Sequence, residues 1–346
     1  MGKTVYVGMS GGVDSSVTAA LLKEQGYSVV GVFMKNWSQD LPGMPCTWKE
    51  DYQDAKRVAV QLGIDFKLYD FEKEYRQQVV EYMIDEYKAG RTPNPDIMCN
   101  QEVKFKLFLK AALADGAELI ATGHYARTKD GRLLTGLDAN KDQSYFLYRV
   151  TTEALEQTLF PIGEYKKPAV RELAAKFKLV TAAKKDSQGI CFVGKVGIKE
   201  FLEQYVTANP GAIIDRSGKA IGEHEGAIFY TIGQRHGLNV GGGLPYYVIG
   251  KDMDKNEVYV TTDLDDDKLW AGKLEVTALH WINEAPDTSR QYSVRTRYRA
   301  PLVDCTVTLD GQTATLDLGQ QVRALTPGQS AVIYDNENVV GGGIVI

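Results

Sequence analysis

Apolar and polar positions fall into two textures along the chain. In the first half, short apolar runs alternate with helical stripes. Thr4-Val5-Tyr6-Val7-Gly8 is a continuous run of the kind a parallel strand buried on both faces shows. Val13, Val17, Ala20 and Leu21 then form a stripe with a polar back, and Gly26 can close that helix. The rhythm repeats with strand Ser28–Met34, helix Asp51–Leu62, strand Phe66–Asp70, helix Phe71–Lys88 closed by Ala89-Gly90, a helix from near Asn100, and strand Glu118–Thr122. Strands alternating with helices predict an α/β domain on a doubly wound parallel sheet. Asp130-Gly131 predicts a hairpin between Tyr125–Thr128 and Leu133–Thr135. Residues 35–49 carry no period and read as a long loop. In the stretch 91–100, Pro93 and Pro95 argue against helix and for a stiff loop.

From about Gly197 the texture changes. After one short helix, Ile198–Val206, come short strands and turns, including Ala212–Asp215, Phe229–Ile232, Tyr246–Lys251 and Glu257–Thr261. Asp263–Lys268 is an acidic linker, and Leu274–Ile346 reads as a small antiparallel barrel or sandwich. The expected domains are 1–195, 196–264 and 265–346. On one predicted strand, Arg295, Arg297 and Arg299 share a face at period two, with Tyr298 between them. That face suits phosphates, and equally a solvated sheet surface.

Length and charge narrow the picture. The chain has 346 residues and a formal net charge of −5. No apolar run reaches the roughly 18 residues of a membrane span. The N-terminus enters a strand directly, without signal-peptide architecture. A cytoplasmic protein with no membrane partner is expected. A chain that only coats nucleic acid is usually basic. Here Lys166, Lys167, Arg171, Lys176, Lys178, Lys184 and Lys185 make one locally basic block, either a phosphate footprint or a solvated face. Lys141 to Tyr148 mixes charge with aromatics, as RNA contacts do, or as a loop leading into a buried aromatic strand does. The cysteines, Cys46, Cys99, Cys191 and Cys305, form no Cys-x-x-Cys pair, so no metal site is expected.

The chemistry concentrates in the turn after the first strand. Met9-Ser10-Gly11-Gly12-Val13-Asp14-Ser15 joins that strand to the first helix, where backbone N–H groups and the helix dipole hold phosphate oxygens. No lysine follows the glycines, so this is not a Walker A loop, and a third glycine at dinucleotide spacing is missing. Met34 and Gly123 end later strands, on the edge where parallel sheets bind ligands. Cys99 is expected at a helix N-terminus, with Lys104 and Lys106 nearby, a setting that favours thiolate. Asp96 lies three residues before it, as an acid or base or a solvated turn residue. His124 follows a strand end, as base, substrate contact or structural group. Cys191 between Ile190 and Phe192 reads from the residues alone as a buried strand cysteine.

The Ser-Gly-Gly-x-Asp-Ser turn resembles the loop of ATP pyrophosphatases. Together with Thr92-Pro93-Asn94-Pro95-Asp96 through Cys99-Asn100, Gly123-His124-Tyr125-Ala126, Lys141–Tyr148, Lys185-Asp186-Ser187 through Gly189-Ile190-Cys191-Phe192, Tyr230–Arg235, Arg297-Tyr298-Arg299 and Gly341–Gly343, it resembles the tRNA-specific 2-thiouridylases. Gln188 and His236 depart from the residues common in that family. The resemblance implies ATP on Gly8, Met9, Ser10, Gly11, Gly12, Val13, Asp14 and Ser15, with Met34 and Gly123 around the nucleoside and magnesium on the phosphates. It implies catalysis by Cys99, Cys191 and Asp96, with a persulfide on Cys191 and a transient disulfide to Cys99. Asn94, Pro95 and Asp96 would hold the target base, and His124, Asp142, Gln143, Ser144, Arg297, Tyr298 and Gln329 would touch tRNA. The implied partners are a tRNA with a wobble uridine and a cysteine desulfurase or sulfur-relay protein. An AMP-forming amidoligase of the same superfamily and a non-catalytic RNA-binding protein remain alternatives.

Overall fold

The computed structural model describes residues 2–40, 46–185, 197–238, 240–241 and 243–346. Strand β1 (Thr4–Gly8) leads into helix α1 (Val13–Glu24), and β2 (Ser28–Lys35), helix α2 (Trp48–Leu62) and β3 (Asp65–Asp70) follow. With β4 (Leu119–Ala121) and β7 (Thr158–Leu159) they form a parallel sheet in the order β3-β2-β1-β4-β7. The order reverses beside β1, so the turn after β1 lies at the switch point where such sheets bind ligands. Val5 and Val7 are fully buried, as expected of a central strand.

Two helices between β3 and β4 differ from their sequence pattern. Glu72–Tyr75 and Glu81–Lys88 flank a π-helical turn over Arg76–Val80. The second helix starts at Pro95, is π-helical over Cys99–Phe108 and ends at Ala114. The expected loop over 91–100 is therefore half helix. Pro95 occupies the first helical turn, where its missing N–H costs nothing, and Asn94 caps it by accepting from the Ile97 N–H at 3.4 Å. Helix α2 also begins at Trp48, inside the expected 35–49 loop.

Hairpin strands β5 (Ala126–Lys129) and β6 (Arg132–Thr135) form as expected, with Asp130 at φ 52° and Gly131 at φ 71° in the turn. They do not join the parallel sheet. β6 pairs instead with β17 (Asn338–Val345). The later strands are β8 (Gly211–Ile214), β9 (Ala220–His224), β10 (Tyr247–Asp252), β11 (Glu257–Thr261), β12 (Trp270–Trp281), β13 (Gln291–Arg295), β14 (Val303–Asp310), β15 (Thr313–Arg323) and β16 (Ser330–Asp335). β8 to β11 make a four-stranded sheet. β12-β15-β14-β13-β16-β17 closes into an antiparallel barrel through a β12–β17 pairing. β13 stops at Arg295, so Arg297, Tyr298 and Arg299 lie in a turn, and the expected three-arginine strand face does not form. Arg299 takes φ 63° there. No helix among the described residues is long and apolar enough to cross a membrane.

Candidate active site

The turn after β1 is built from backbone. Met9 and Val13 point into the core, 1% and 3% exposed. Gly11, at φ +75°, has no room for a Cβ against the Asp51 carbonyl at the start of α2. The Ser10 N–H donates to Ser15 Oγ (3.2 Å), and Ser16 Oγ donates to the Gly12 carbonyl (2.7 Å). No side chain caps α1 at Gly12, which leaves first-turn N–H groups for an anion. Gly123 presses on this turn from β4: a Cβ there would stand 2.8 Å from Ser15 N and 2.9 Å from the Asp14 carbonyl carbon. Met34 covers Gly8 from β2, its Cε 3.0 Å from where a Gly8 Cβ would stand.

Asp14 is the charged group of the turn. Lys167 Nζ donates to both of its oxygens, at 2.8 and 2.9 Å, and the Tyr125 hydroxyl donates to Oδ1 at 2.8 Å. Of the groups on this turn, the Asp14 carboxylate is the one that could meet a magnesium ion carried on a triphosphate. Among the described residues no group of three metal-binding side chains occurs, and both Asp14 oxygens carry the lysine.

Contacts run from this turn through His124 to Lys104, whose charge reaches Asp96. Next to Gly123, His124 is buried, with Nδ1 2.7 Å from Thr122 Oγ1 and Nε2 3.5 Å from Lys104 Nζ. An ammonium only donates, so Nε2 accepts and Nδ1–H donates to Thr122. Burial holds His124 well below the usual histidine range, and the Lys104 charge adds to this. His124 is thus a neutral structural relay. The Phe105 ring lies 5.7 Å from the imidazole. Burial raises the Asp96 carboxyl, while Lys104 pulls it down. The charge of one lysine on the π-helix therefore acts on both the acid of the Asn94–Asp96 loop and the histidine beside the turn.

Cys99 lies one turn inside the helix and is 1% exposed, so the helix-terminus setting expected for it does not hold. Lys106 is paired with Glu102 at 2.6 Å. Cys99 shares a buried cluster with Trp37, Val103, Phe201 and Leu202. Cys191 lies outside the described residues. In the described chain before and after it, Lys184 bridges Asp51 (2.8 Å) and Asp54 (2.7 Å) on α2 beside Gly11, and Phe201 belongs to the Cys99 cluster.

The expected RNA-facing residues separate into two groups. Arg297 is exposed, and Tyr298 is half-buried against Phe146, with ring centroids 4.5 Å apart. The others have structural tasks. Asp142, 4% exposed, accepts from the Gly136 N–H (3.0 Å), the Ser144 N–H (3.1 Å) and Ser144 Oγ (3.0 Å), and pairs with Arg295 at 3.3 Å. Gln143 Oε1 accepts from the Tyr125 N–H at 3.0 Å. Gln329 Nε2 donates to the Thr92 carbonyl at 2.8 Å. The Tyr145 and Tyr148 stretch is a buried 3₁₀ turn and not a strand. The basic block is likewise largely engaged within the chain: Lys167 on Asp14, Lys176 on Glu24 (2.9 Å), Lys184 on α2, and Arg171 on the Ala182 and Lys184 carbonyls. Sequence reasoning missed Lys104 as the link between Asp96 and His124, and missed Tyr125 and Lys167 as partners of Asp14. Only the density of basic residues near Lys167 could have pointed to it.

Three family models match consecutive stretches: a tRNA methyl transferase HUP domain over residues 3–195, a tRNA methyl transferase PRC-barrel domain over 199–262, and an aminomethyltransferase beta-barrel domain over 271–345. The chain is 49% identical over 349 residues to the tRNA-specific 2-thiouridylase MnmA of Bacillus subtilis (strain 168), covering 99% of this chain and 94% of that protein. It is 48% identical over 352 residues to the tRNA-specific 2-thiouridylase MnmA of Streptococcus sanguinis (strain SK36), with the same coverage of 99% and 94%.

Proposed function

The chain belongs to the tRNA-specific 2-thiouridylase family, and on that premise we propose that it converts a wobble uridine of tRNA to 2-thiouridine by ATP-dependent sulfur transfer. The observation that carries the reading is the packing of Gly123 on the Asp14–Ser15 backbone, with the neighbouring His124 3.5 Å from Lys104 Nζ, whose charge also acts on Asp96. It supports a reading in which the turn holds phosphate and the Asn94–Asp96 loop handles the proton.

The uracil 2-carbonyl is a poor electrophile because oxide is a poor leaving group. ATP lies along Gly8 to Ser15, with Met34 and Gly123 at the nucleoside. The uracil O2 attacks the α-phosphate, the N3 proton passes to Asp96, and pyrophosphate leaves with the electron pair of the broken P–O bond. A Cys191 persulfide, loaded by a cysteine desulfurase or relay protein, attacks C2 through its terminal sulfur, and AMP departs. Cys99 then attacks the Cys191 sulfur. The S–S bond breaks toward the base, its electron pair goes to the sulfur on C2 and the proton held by Asp96 returns to N3, leaving a thiocarbonyl and a Cys99–Cys191 disulfide that a thiol reductant must open. Asn94 and Pro95 frame the base with Asp96, which must leave its stack to enter. Exposed Arg297 and the Tyr298 edge are offered to the tRNA, and the three domains 1–195, 196–264 and 265–346 act as one body around it. Before and after 186–196, Lys184 lies on α2 beside Gly11 and Phe201 in the Cys99 cluster, which supports the reach this scheme asks of Cys191.

The test is mass spectrometry of tRNA nucleosides after incubation with ATP and a persulfide-generating desulfurase. The expected result is 2-thiouridine with one AMP per thiolated base, lost in Cys191→Ser and Cys99→Ser. AMP formation from an amine acceptor, unaffected by both changes, would replace this reading with an amidoligase.

A further inference from the structure

We propose that Thr231 is a positioning residue for the target-base loop: its hydroxyl, presented beside the four-stranded sheet, fixes Thr92 and with it the angle at which Asn94 and Asp96 meet the uracil. The proposal deepens the thiolation reading above and rests on it.

The reaction as written uses nothing from Tyr230–Arg235. A stretch that served only as an RNA surface would turn its polar side chains outward. Here Tyr230 is buried, residues 231–234 are half-buried, and Arg235 is the exposed member. The turn is braced from several sides. The Thr231 N–H donates to Gln234 Oε1 (3.0 Å), and the Gln234 N–H donates back to the Thr231 carbonyl (3.0 Å). Lys251 Nζ, at the end of β10, donates to the Tyr230 carbonyl at 2.8 Å. Gly233, at φ +81°, has no room for a Cβ against Ala324, which follows β15 of the barrel.

From this frame the Thr231 hydroxyl reaches Thr92 Oγ1 at 3.1 Å. The other two polar groups of Thr92 are held by the turn before β17: its N–H donates to the Pro327 carbonyl (2.8 Å), and its carbonyl accepts from Gln329 Nε2 (2.8 Å). Two backbone bonds leave rotation about the line that joins them. The hydroxyl bond lies off that line and stops the rotation. Pro93 and Pro95 fix their own φ angles, so the chain from Thr92 to Asp96 has few free torsions, and a turn at Thr92 is carried into Asn94 and Asp96. A misplacement of about 1 Å in a reacting group costs rate steeply. Thr231 therefore acts on the rate at which bound tRNA reacts and leaves the strength of its binding alone.

A double-variant cycle on the full chain tests this. Thr92→Val and Thr231→Val each remove a hydroxyl and keep the side-chain shape. Single-turnover formation of 2-thiouridine at saturating tRNA is compared with tRNA affinity from filter binding. Each single change is expected to slow thiolation by about 3- to 10-fold, the worth of one hydrogen bond, with tRNA affinity within about twofold. The double variant should be no slower than the slower single one, because the two hydroxyls make one bond. Thr231→Ser keeps the hydroxyl and should keep the rate. A loss of tRNA affinity that matches the loss of rate overturns the proposal and makes Thr231 an RNA contact. Losses that multiply in the double variant overturn it too, as does an unchanged rate in Thr231→Val. If the wild-type chain forms no 2-thiouridine from tRNA, ATP and a persulfide-generating desulfurase, the thiolation reading fails and this proposal with it. If it does form 2-thiouridine and Thr231→Val keeps pace, only the assignment of Thr231 fails.

Discussion

Lys104 acts on two neighbours at once, lowering the pKa of Asp96 against the push of burial and adding to the burial that keeps His124 neutral. The signs give a test. In Lys104→Ala only burial remains to act on Asp96, so its carboxyl titrates at higher pH. If Asp96 accepts the uracil proton, the acid limb of the single-turnover rate profile must move to higher pH, and Lys104→Arg must hold it in place. A limb that stays where it was would remove Asp96 as the base. His124 should contribute no inflection of its own near the usual histidine range. Its folded pKa is depressed, so it stabilises the fold above the unfolded value and that contribution is lost as pH falls toward the folded one. Gly123 offers a steric counterpart. A methyl group there meets backbone of Asp14 and Ser15, which cannot swing aside as a side chain can. Gly123→Ala should cost about 1–3 kcal/mol in denaturant unfolding and abolish AMP formation. Gly241→Ala, which meets open space, should change stability by less than about 0.5 kcal/mol.

The π-helical stretch Cys99–Phe108 sets how Asp96 and Cys99 face the rest of the site. It carries residues beyond what a regular helix holds, and π segments occur often at functional sites. Each residue turns an α-helix by about 100°. Deleting Gln101 should return the stretch toward α geometry and rotate Asn94–Cys99 by about that angle against Lys104 and Phe105. Circular dichroism should report a folded chain, and nucleoside analysis should find no 2-thiouridine; retained thiolation would show that the register does not matter. No sequence pattern announced this segment, because Val103, Leu107, Phe108 and Ala111 read as an ordinary helical stripe. The parallel sheet was legible, since Val5, Val7, Val30 and Val32 are apolar runs whose burial depends on local order. The start of the helix at Pro95 was misread because a proline excludes only the helix interior, and the sequence alone does not say which residue is first. The Asp14–Lys167 pair was illegible for a different reason: its partners are joined by the packing of the Lys167–Lys176 helix on α1, which no local spacing encodes.

At the scale of the whole molecule, the first domain and the barrel share one hydrophobic interior. Ala126, Leu133, Tyr145 and Tyr148 pack in the same cluster as Ile282, Val332, Tyr334 and Val339. The Tyr145 hydroxyl donates to the Ser330 carbonyl at 2.9 Å, and β6 adds to the barrel through β17. The loop carrying Asn94 and Asp96 is tied into the same joint. The Thr92 N–H donates to the Pro327 carbonyl (2.8 Å), the Thr92 hydroxyl is 3.1 Å from that of Thr231, and Gln329 holds the Thr92 carbonyl. Boundaries drawn along the chain therefore do not divide the core. A fragment ending at residue 264 would uncover Leu133, Tyr145 and Tyr148, each now fully buried, at about 1.5–3 kcal/mol for each large apolar side chain. It would also strip Asp142 of the Arg295 guanidinium and leave a buried carboxylate without its cation. The fragment should bind a hydrophobic dye, unfold without a cooperative transition and form no AMP from ATP and tRNA. The full-length Arg295→Met chain isolates the electrostatic share. It should unfold cooperatively with a loss of about 3 kcal/mol, less to the extent that Gly136 and Ser144 still donate to Asp142. A fragment that melts cooperatively near the full-length midpoint and still makes AMP would mean that the barrel merely rests on the first domain, and that the loop at Thr92 holds its shape without it.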